Sequence, residues 1–276
     1  MKFKNKYLKS LNKELFKGFN RLYWFLYTEF KYYYFKYKFK DRNESKQYKI
    51  SLLLPSRERS KKFKRMLDSL ISTCSNISRI ELLILLDTDD KEKILYESIL
   101  SNNKYSNLNH KIYLNNLSSH AKRNNFLAMK SVGDILFPIN DDITFISKHW
   151  DKEIDNEFSK VVNQPYCLWV DSGQKYLYLH SDFPIVNKEW YKKLGYIGSE
   201  FFNFWYLDTW ICDLCHRSKK FLISKKIKLY QYSAHTIKEE VDNTHLKNIK
   251  DDIPLKDKII WNETVGQRIK DARLLV

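Results

Sequence analysis

Two groups of acidic residues stand out in this chain of 276 residues because each follows a run of apolar residues. Asp87 and Asp89 follow one run, and Asp141 and Asp142 follow another. Adjacent carboxylates repel each other, so a fold keeps them mainly where a cation or a ligand compensates their charge. Carboxylate oxygens suit Mg²⁺ or Mn²⁺, and such an ion can bridge a diphosphate and neutralise its leaving charge. The alternative interpretation is a solvated turn that caps the following helix, where Asp is common.

The apolar runs are typical of strands that are buried on both faces of a sheet. The sequence predicts strands at residues 50–54, 80–86, 111–114 and 135–139, separated by helices near 63–71, 91–100 and 120–130. Such alternation indicates an α/β fold with a mostly parallel central sheet flanked by helices. The second half is less regular, with strands expected near 166–170, 183–186 and 227–230 and a helix near 208–219. Because ligands bind beyond the carboxyl ends of strands in open α/β sheets, we expect the acidic groups to share one binding site.

Five short segments occur in order along this pattern. They read L-L-L-P-S-R from Leu52, L-L-D-T-D-D from Leu85, H-A-K-R-N-N from His120, G-D-I-L-F-P-I-N-D-D-I from Gly133 and W-Y-L-D-T-W-I-C-D-L-C-H-R from Trp205. Together they resemble the GT-A glycosyltransferases, in particular the family 2-like group, over about residues 48–245. The resemblance implies a GT-A-type α/β fold and an enzyme that uses a nucleotide-diphosphate sugar.

The same resemblance implies which residues contact the donor. Arg57 and Arg123 would reach the nucleotide and its phosphates, whose oxygens a guanidinium can bind in a bidentate way. Asp87 would accept hydrogen bonds from the base or the ribose, and Asp141 would lie near the ribose and the sugar. The complete set implied to bind the nucleotide sugar is Pro55, Ser56, Arg57, Asp87, Asp89, Arg123, Asn140 and Asp141.

A metal ion and a general base are also implied by the resemblance. Asp142 would ligate Mn²⁺ or Mg²⁺, and His235 would complete the coordination through one ring nitrogen. Asp208 would take the proton of the acceptor hydroxyl as it attacks the anomeric carbon, a direct displacement that inverts the configuration. Asp208 stands at a predicted helix start, so it is also a natural N-cap. Asp213 is a second candidate for the base, although its spacing suits an ion pair with Arg217.

The sequence departs from the pattern of the family at two positions. Ile139 or Asn140 replaces the usual first acid of the metal motif, which leaves fewer anionic ligands. Leu207 precedes Asp208 at a position where an acid is common in the family. These departures bear directly on the affinity for metal and on the choice of base.

The expected reaction is transfer of a hexose or related sugar from a UDP- or GDP-sugar to a hydroxyl group of a glycan or lipid-linked acceptor. By the habit of the family, the setting is the synthesis of a surface polysaccharide or lipopolysaccharide. One alternative is a nucleotidyltransferase of related fold, although residues 56–62 lack the glycine-rich phosphate loop of that class. Another is a non-catalytic protein that binds membrane or nucleic acid through its basic segment.

The N-terminal segment holds most of the positive charge. The formal net charge is +16, and residues 1–49 contain fourteen Lys and Arg against four acids. Apolar residues at three- and four-residue steps predict an amphipathic helix there, in the series Leu8, Leu11, Leu15, Phe19, Leu22, Leu26 and Phe30. This helix either docks on an anionic membrane or packs on the domain with a solvated lysine face. Nucleic acid ranks last as a partner, because no recognisable nucleic-acid-binding motif is present.

These patterns divide the chain into a basic extension at 1–46, a GT-A domain at 47–245 and a weakly patterned tail at 246–276. No secretory signal is visible, and the apolar runs near the N-terminus are too short to span a bilayer. We therefore expect a cytoplasmic protein with reduced cysteine thiols, placed at the cytoplasmic membrane face if the extension docks on lipid.

Overall fold

The fold combines a single sheet with helices on both of its faces. The computed structural model describes residues 2–40, 46–173, 177, 179–232, 246 and 252–276, with side chains described from residue 19 onward. The α-helices in this part of the chain are α1 Lys2–Lys38, α2 Ser60–Thr73, α3 Lys93–Leu100, α4 His120–Lys130, α5 Trp150–Phe158, α6 Lys188–Leu194, α7 Leu207–Ser218, α8 Ile253–Glu263 and α9 Val265–Leu274. The strands are β1 Ile50–Pro55, β2 Ile80–Leu86, β3 Asn109–Leu114, β4 Ile135–Pro138, β5 Ile143–Phe145, β6 Cys167–Asp171, β7 Ile185–Asn187 and β8 Phe221–Gln231.

The eight strands of the described residues are ordered β3-β2-β1-β4-β7-β6-β8-β5. β1 pairs in parallel with β2 and β4, and β2 pairs in parallel with β3. β6 and β8 form a fourth parallel pair, whereas β7 is antiparallel to both neighbours and β5 is antiparallel to β8. The register aligns Pro55 with Leu85 and Leu53 with Pro138, so β1, β2 and β4 end at the same edge. The predicted α/β fold with a mostly parallel sheet is confirmed.

Alternate side chains of the central strands enter two separate cores. On β1, Ile50, Leu52 and Leu54 face one core, and Leu53 faces the other. The first core also contains apolar residues of α2, α3 and α5, and the second contains those of α4, α6, α7 and α9. Each leucine buried in this way contributes roughly 1.5–3 kcal/mol. The strands read as continuous apolar runs because both faces of the sheet are covered.

The second half contains elements that the sequence pattern did not reveal. β5 and α6 span three and seven residues, which is too short for a periodic pattern to appear. β7 lies at the C-terminal end of the strand expected at 183–186, and β8 begins at Phe221, well before the strand expected at 227–230. The predicted helix at 208–219 corresponds closely to α7.

The C-terminal segment, expected to be a weakly patterned tail, forms the two helices α8 and α9. Arg268 of α9 is only 2% exposed and donates a 2.8 Å hydrogen bond to Asp213 of α7. Its guanidinium also stacks on Trp261, with 3.6 Å between the guanidinium carbon and the ring centroid. Asp257 and Asp271 are buried as well. The sequence pattern did not predict these two helices because several of their buried residues are charged, so no apolar periodicity marks them.

The predicted N-terminal extension is helical, and it packs against β8 through its C-terminal half. Salt bridges and ring contacts hold it there, including the pair formed by Lys225 and Glu29 at 2.6 Å. None of the helices in the described residues is both long enough and apolar enough to cross a lipid bilayer.

Gly133 provides a test of how tightly the sheet packs at the entry to β4. Its N–H donates to Ser51 Oγ at 2.9 Å, and a Cβ added there would lie 2.7 Å from the Ser51 backbone nitrogen. We expect Gly133→Ala to lower the free energy of unfolding by about 1–3 kcal/mol, because backbone atoms would have to move. The matched variant Gly266→Ala meets no atom within 4 Å in helix α9 and should leave stability unchanged or slightly raised. Denaturant unfolding of both variants measures the difference in the free energy of unfolding. An equal change in both variants would contradict the close contact between Gly133 and Ser51.

Candidate functional site

A cavity of about 810 Å³ lies at the edge where β1, β2 and β4 end. It is lined by every predicted site residue within the described part of the chain, namely Pro55, Ser56, Arg57, Asp87, Asp89, Arg123, Asn140, Asp141, Asp142 and Asp208. His235 lies outside the described residues. The structure therefore brings together side chains from five separate segments, as the sequence predicted, while their individual chemical roles stay predictions.

The carboxylate of Asp87, at the end of β2, lies between two guanidinium groups. Arg57 donates to one of its oxygens and Arg123 donates to the other. Arg57 also forms a bidentate pair with Asp89, with N–O distances of 2.7 and 2.9 Å, and these hydrogen bonds raise the pKa of Arg57. Arg123 is held further by a 2.9 Å hydrogen bond from its Nε to the carbonyl of Leu117. The two arginines are thus fixed at the cavity wall as oriented cationic groups.

The Asp141–Asp142 pair follows β4 and is almost fully buried, with 2% and 8% of each residue exposed. Asp141 accepts hydrogen bonds from Ser56 Oγ and, at 3.1 Å, from the guanidinium of Arg59. Burial raises the pKa of Asp141, and the charge of Arg59 opposes that rise. Among the described residues, the side-chain amide of Gln231 makes long 3.5 Å contacts to both carboxylate oxygens of Asp142. Burial, and then the charge of Asp141, raise the pKa of Asp142 to about 7.

This charge balance fits a divalent cation at Asp142. The two carboxylates are adjacent, and no ion pair to Asp142 occurs among the described residues. A cation would relieve the repulsion that raises its pKa, and carboxylate oxygen is the ligand type that Mg²⁺ and Mn²⁺ favour. Water and a diphosphate can supply the other oxygens that such ions require.

A second polar cluster, which the sequence analysis missed, contains His180 and Asp182 beside Asp208. His180 Nε2 lies 2.9 Å from Asp208 Oδ2 and 3.5 Å from Asp182 Oδ1. Burial disfavours the imidazolium, but Cys212 and Asp208 favour it and raise the pKa of His180 to about 11. Burial likewise acts to raise the pKa of Asp208, yet the bond from His180 and the N–H of Thr209 outweigh it and hold that pKa low. No motif marks these residues, because 28 positions separate His180 from Asp208 in the sequence.

One ligand atom from each of His180, Asp182 and Asp208 lies within 4.8 Å of the other two, so the cluster has the geometry of a metal site. The pKa of His180 is raised to about 11, so its imidazolium pairs with Asp208 and lies 3.5 Å from Asp182, and a cation there would have to displace its proton. We therefore treat the cluster as an ion pair and propose Asp142 as the cation site. Asp213, the second candidate for the base, pairs with Arg217 and Arg268 at 2.6 and 2.8 Å and does not line the cavity.

An aromatic loop closes one side of the cavity. Phe204, Trp205 and Tyr206 line it, immediately before α7. The backbone N–H groups of Phe204 and Trp205 donate to one carboxylate oxygen of Asp257, and the N–H and side-chain amide of Asn203 donate to the other. Asp257 is fully buried on α8. The C-terminal helices therefore shape a wall of the site, a contribution that hydropathy did not reveal.

No protein-family model matches the sequence, and no curated protein matches it either. Solved structures do match. The chain superposes on the mannosyltransferase PcManGT from Pyrobaculum calidifontis, in complex with GDP-Man and Mn²⁺, over 91% of this chain and 81% of that one, with a TM-score of 0.54 and 11% identity. It also superposes on S. aureus TarS 1–349 in complex with UDP-GlcNAc over 82% and 70%, with a TM-score of 0.59 and 13% identity.

The chain has a GT-A-like glycosyltransferase fold. A structure of TarS 1–349 without a named ligand matches over 67% of this chain with a TM-score of 0.54 and 14% identity. There the match spans 61% of the TarS fragment, about three fifths of its length. The fold implied by the motif resemblance is thereby confirmed, and the shared cavity lies at the sheet edge where a GT-A-like fold was expected to bind its ligand.

Asp142→Asn tests whether the buried acidic pair is arranged for a cation. The pKa of Asp142 is raised from 3.8 to about 7, so ionisation of its carboxyl group destabilises the folded protein. This loss of stability grows as the pH rises through that range and is constant above it. We expect the variant to raise the free energy of unfolding of the metal-free protein by about 1–2 kcal/mol at pH 8. It should also abolish the stabilisation that millimolar Mn²⁺ confers on the unmodified chain.

The control for this prediction is Asp68→Asn. Asp68 is bonded to Lys64, Lys104 and Tyr105 and does not line the cavity. Its replacement should leave the response to Mn²⁺ intact and should not stabilise the protein. Thermal unfolding with and without Mn²⁺ measures both effects. An unchanged Mn²⁺ response in Asp142→Asn would contradict the assignment of the cation.

Proposed function

We propose that this protein transfers a sugar from a nucleotide-diphosphate sugar to a hydroxyl group of an acceptor. One observation supports this most strongly: the implied donor, metal and base residues that are described all line a single cavity. A GT-A-like fold is shared with glycosyltransferases whose structures contain UDP-GlcNAc or GDP-Man with Mn²⁺. The donor class is therefore a UDP- or GDP-sugar.

The wall formed by β1, β2 and α4 is assigned to the nucleotide. Arg57 and Arg123 are oriented by Asp87 at the cavity wall, where guanidinium groups can bind phosphate oxygens. Pro55 and Ser56 lie at the end of β1, where a base and ribose can pack against them. Asp89 and Asn140 line the same side. Asp89 is assigned, with Asp87, to the base or ribose, and Asn140 is assigned, with Asp141, to the nucleotide sugar.

Asp142 is assigned as the metal ligand, with His235 as a second ligand from outside the described residues. Mn²⁺ or Mg²⁺ held there would neutralise the charge that develops on the leaving diphosphate. Asp141 is held by Ser56 and Arg59, so it is oriented independently of the metal. The rigid turn after β4 presents both carboxylates to the cavity.

Asp208 is assigned as the general base. Its carboxylate is 36% exposed toward the cavity, and its low pKa keeps it ionised and able to accept a proton at neutral pH. The acceptor hydroxyl would attack the anomeric carbon directly as Asp208 takes its proton, which inverts the configuration. His180 donates to one carboxylate oxygen of Asp208 and leaves the other facing Thr209. His180 is therefore a positioning residue for the base.

The acceptor side is assigned to the aromatic loop. Phe204, Trp205 and Tyr206 offer flat apolar surfaces on which a sugar ring or the apolar part of a lipid-linked acceptor can pack. We propose a glycan or lipid-linked acceptor in surface polysaccharide or lipopolysaccharide synthesis. The proposed catalytic domain is 47–245, with a basic extension at 1–46 and with 246–276 supporting the aromatic loop through Asp257.

Asp208→Asn tests the assignment of the base. The variant should bind UDP- or GDP-sugar with unchanged affinity in the presence of Mn²⁺, because Asp208 does not contact the arginines or the acidic pair. Its kcat for transfer should fall by about 10²–10⁴-fold, since proton removal is lost. A panel of nucleotide sugars, with binding followed by calorimetry and turnover by released nucleotide, measures both quantities. Asp213→Asn is the comparison, and a larger loss of kcat there than in Asp208→Asn would make Asp213 the base.

His180→Gln tests whether His180 keeps the base ionised. Glutamine retains a hydrogen-bond donor but lacks the positive charge that lowers the pKa of Asp208. Loss of that charge raises the pKa of Asp208, so the fall of kcat on the acid side of the pH profile should move to higher pH. We expect kcat at neutral pH to fall by about tenfold or less, with KM for the donor unchanged. A uniform loss of kcat with no shift of the acid limb would indicate a purely structural role for His180.

A further inference from the structure

Besides the pair of Glu29 with Lys225, helix α1 packs on the rest of the protein through one stripe of residues. Trp24 stacks on His216 with 4.1 Å between ring centroids, and Lys219 Nζ lies 3.8 Å from the Trp24 ring. One turn further, Tyr27 contacts Phe221, and the buried Lys31 donates to the carbonyl of Lys219. These residues recur at three- and four-residue intervals, so they lie on one face of the helix.

The opposite face of α1 is apolar and exposed. Residues at 19, 22, 26, 30, 33 and 37 repeat at steps of three and four residues and are offset by half a turn from the packed stripe. Their exposed fractions are Phe19 70%, Leu22 53%, Leu26 57%, Phe30 69%, Tyr33 44% and Tyr37 66%. The apolar series that predicted an amphipathic helix is therefore not the face that packs on the domain. A contiguous apolar stripe of this length marks an interaction surface.

The spacing of this stripe distinguishes between two kinds of partner. In the sequence the series extends back through Leu15 and Leu11 to Leu8, and its eight steps from Leu8 to Tyr37 average about 3.6 residues. A left-handed coiled coil needs apolar residues every 3.5 residues, because the helices wind around each other. A spacing of 3.6 keeps the stripe straight along a single helix. The stripe therefore suits a flat surface better than a second copy of α1.

Basic residues accompany the apolar stripe. Arg21, Lys36 and Lys38 are exposed on α1, and Lys40 is exposed just beyond its end. Glu29, the one acid between residues 15 and 40, is paired with Lys225 at 2.6 Å, so its charge is compensated. Upstream, the sequence places Lys6, Lys9, Lys13 and Lys17 at the same three- and four-residue steps, out of phase with the leucines. On an ideal helix such a sequence has one apolar face and one basic face.

We propose that α1 docks the protein on an anionic lipid surface. The exposed leucine and phenylalanine side chains would enter the boundary between headgroups and acyl chains, and the tyrosines would settle at headgroup level. The lysines and arginine would contact anionic headgroups. Docking is compatible with the observed packing because the stripe that holds α1 on the domain is on the other side of the helix.

The position of α1 also relates the lipid surface to the cavity. Asp208 lies at the N-terminal end of α7 and lines the cavity, whereas His216 contacts α1 eight residues later. Eight residues of α-helix span about 12 Å. The contact of α7 with α1 thus lies about 12 Å along the helix from the residue proposed as the base. The docking itself does not depend on the proposed enzymatic activity.

Paired substitutions on the full-length chain test the docking surface. Leu22→Glu with Leu26→Glu places two carboxylates in the exposed stripe without touching the packed one. The matched control is Ile94→Glu with Leu255→Glu, at residues that are 74% and 58% exposed on α3 and α8. Both pairs add the same charge and remove two exposed aliphatic side chains. Co-sedimentation with phosphatidylcholine vesicles, with and without phosphatidylglycerol, measures the partition coefficient of each protein.

We expect the unmodified protein and the control pair to bind vesicles that contain phosphatidylglycerol. Their binding should be weaker to neutral vesicles, and weaker at 0.5 M salt. The Leu22→Glu/Leu26→Glu pair should lose at least about tenfold in partitioning while keeping its thermal unfolding midpoint. Unchanged vesicle binding in that pair would overturn the proposal. The proposal would also be overturned if the unmodified protein formed a stable dimer that this pair of substitutions disrupts. Binding of the unmodified protein to a single-stranded oligonucleotide, without binding to vesicles, would overturn it as well. Donor hydrolysis, measured in parallel, tests the proposed enzymatic function separately.

Discussion

Burial of carboxylates at the ends of β2 and β4 is the constraint on which the rest of the site depends. Parallel pairing brings Asp87, Asp141 and Asp142 to one edge, where burial raises the pKa of Asp141, and burial with the charge of Asp141 raises the pKa of Asp142. Guanidinium groups from other segments compensate the first two carboxylates. Asp142 has no ion pair within the described part of the chain, which is why we propose it as the cation site.

The cavity depends as much on the second half of the chain as on the first. Asp257 holds the aromatic loop through four hydrogen bonds, and His180 holds Asp208 through one. Both are charged groups that act at a distance in sequence from the residues they orient. A buried carboxylate that satisfies several N–H groups fixes a loop more narrowly than apolar contacts do, because each hydrogen bond has a preferred direction. The aromatic loop and Asp208 are thus positioned from outside the motif-bearing segments.

Helix α1 shows that amphipathic periodicity does not by itself identify the packed face. The leucine series from Leu8 to Phe30 was expected to mark an interface, and either the domain or a membrane was its candidate partner. The structure packs the intervening stripe of Trp24, Tyr27 and Lys31 instead. Aromatic and lysine side chains combine apolar surface with polar tips, so a hydropathy pattern ranks them below leucine although they bury well.

The sequence by itself determined the α/β class, the central strands and the edge where the acidic residues meet, because buried parallel strands and paired acids leave local signals. The site residues at the ends of β1, β2 and β4 therefore follow from the sequence pattern, and they line one cavity. Only the tertiary structure decided which guanidinium compensates which carboxylate, that His180 accompanies Asp208, and that the C-terminal segment forms helices that support the site. These three features depend on contacts between residues that are far apart in the chain. The side chains that make the contacts are charged, and they are buried because they are paired, which a hydropathy pattern does not reveal.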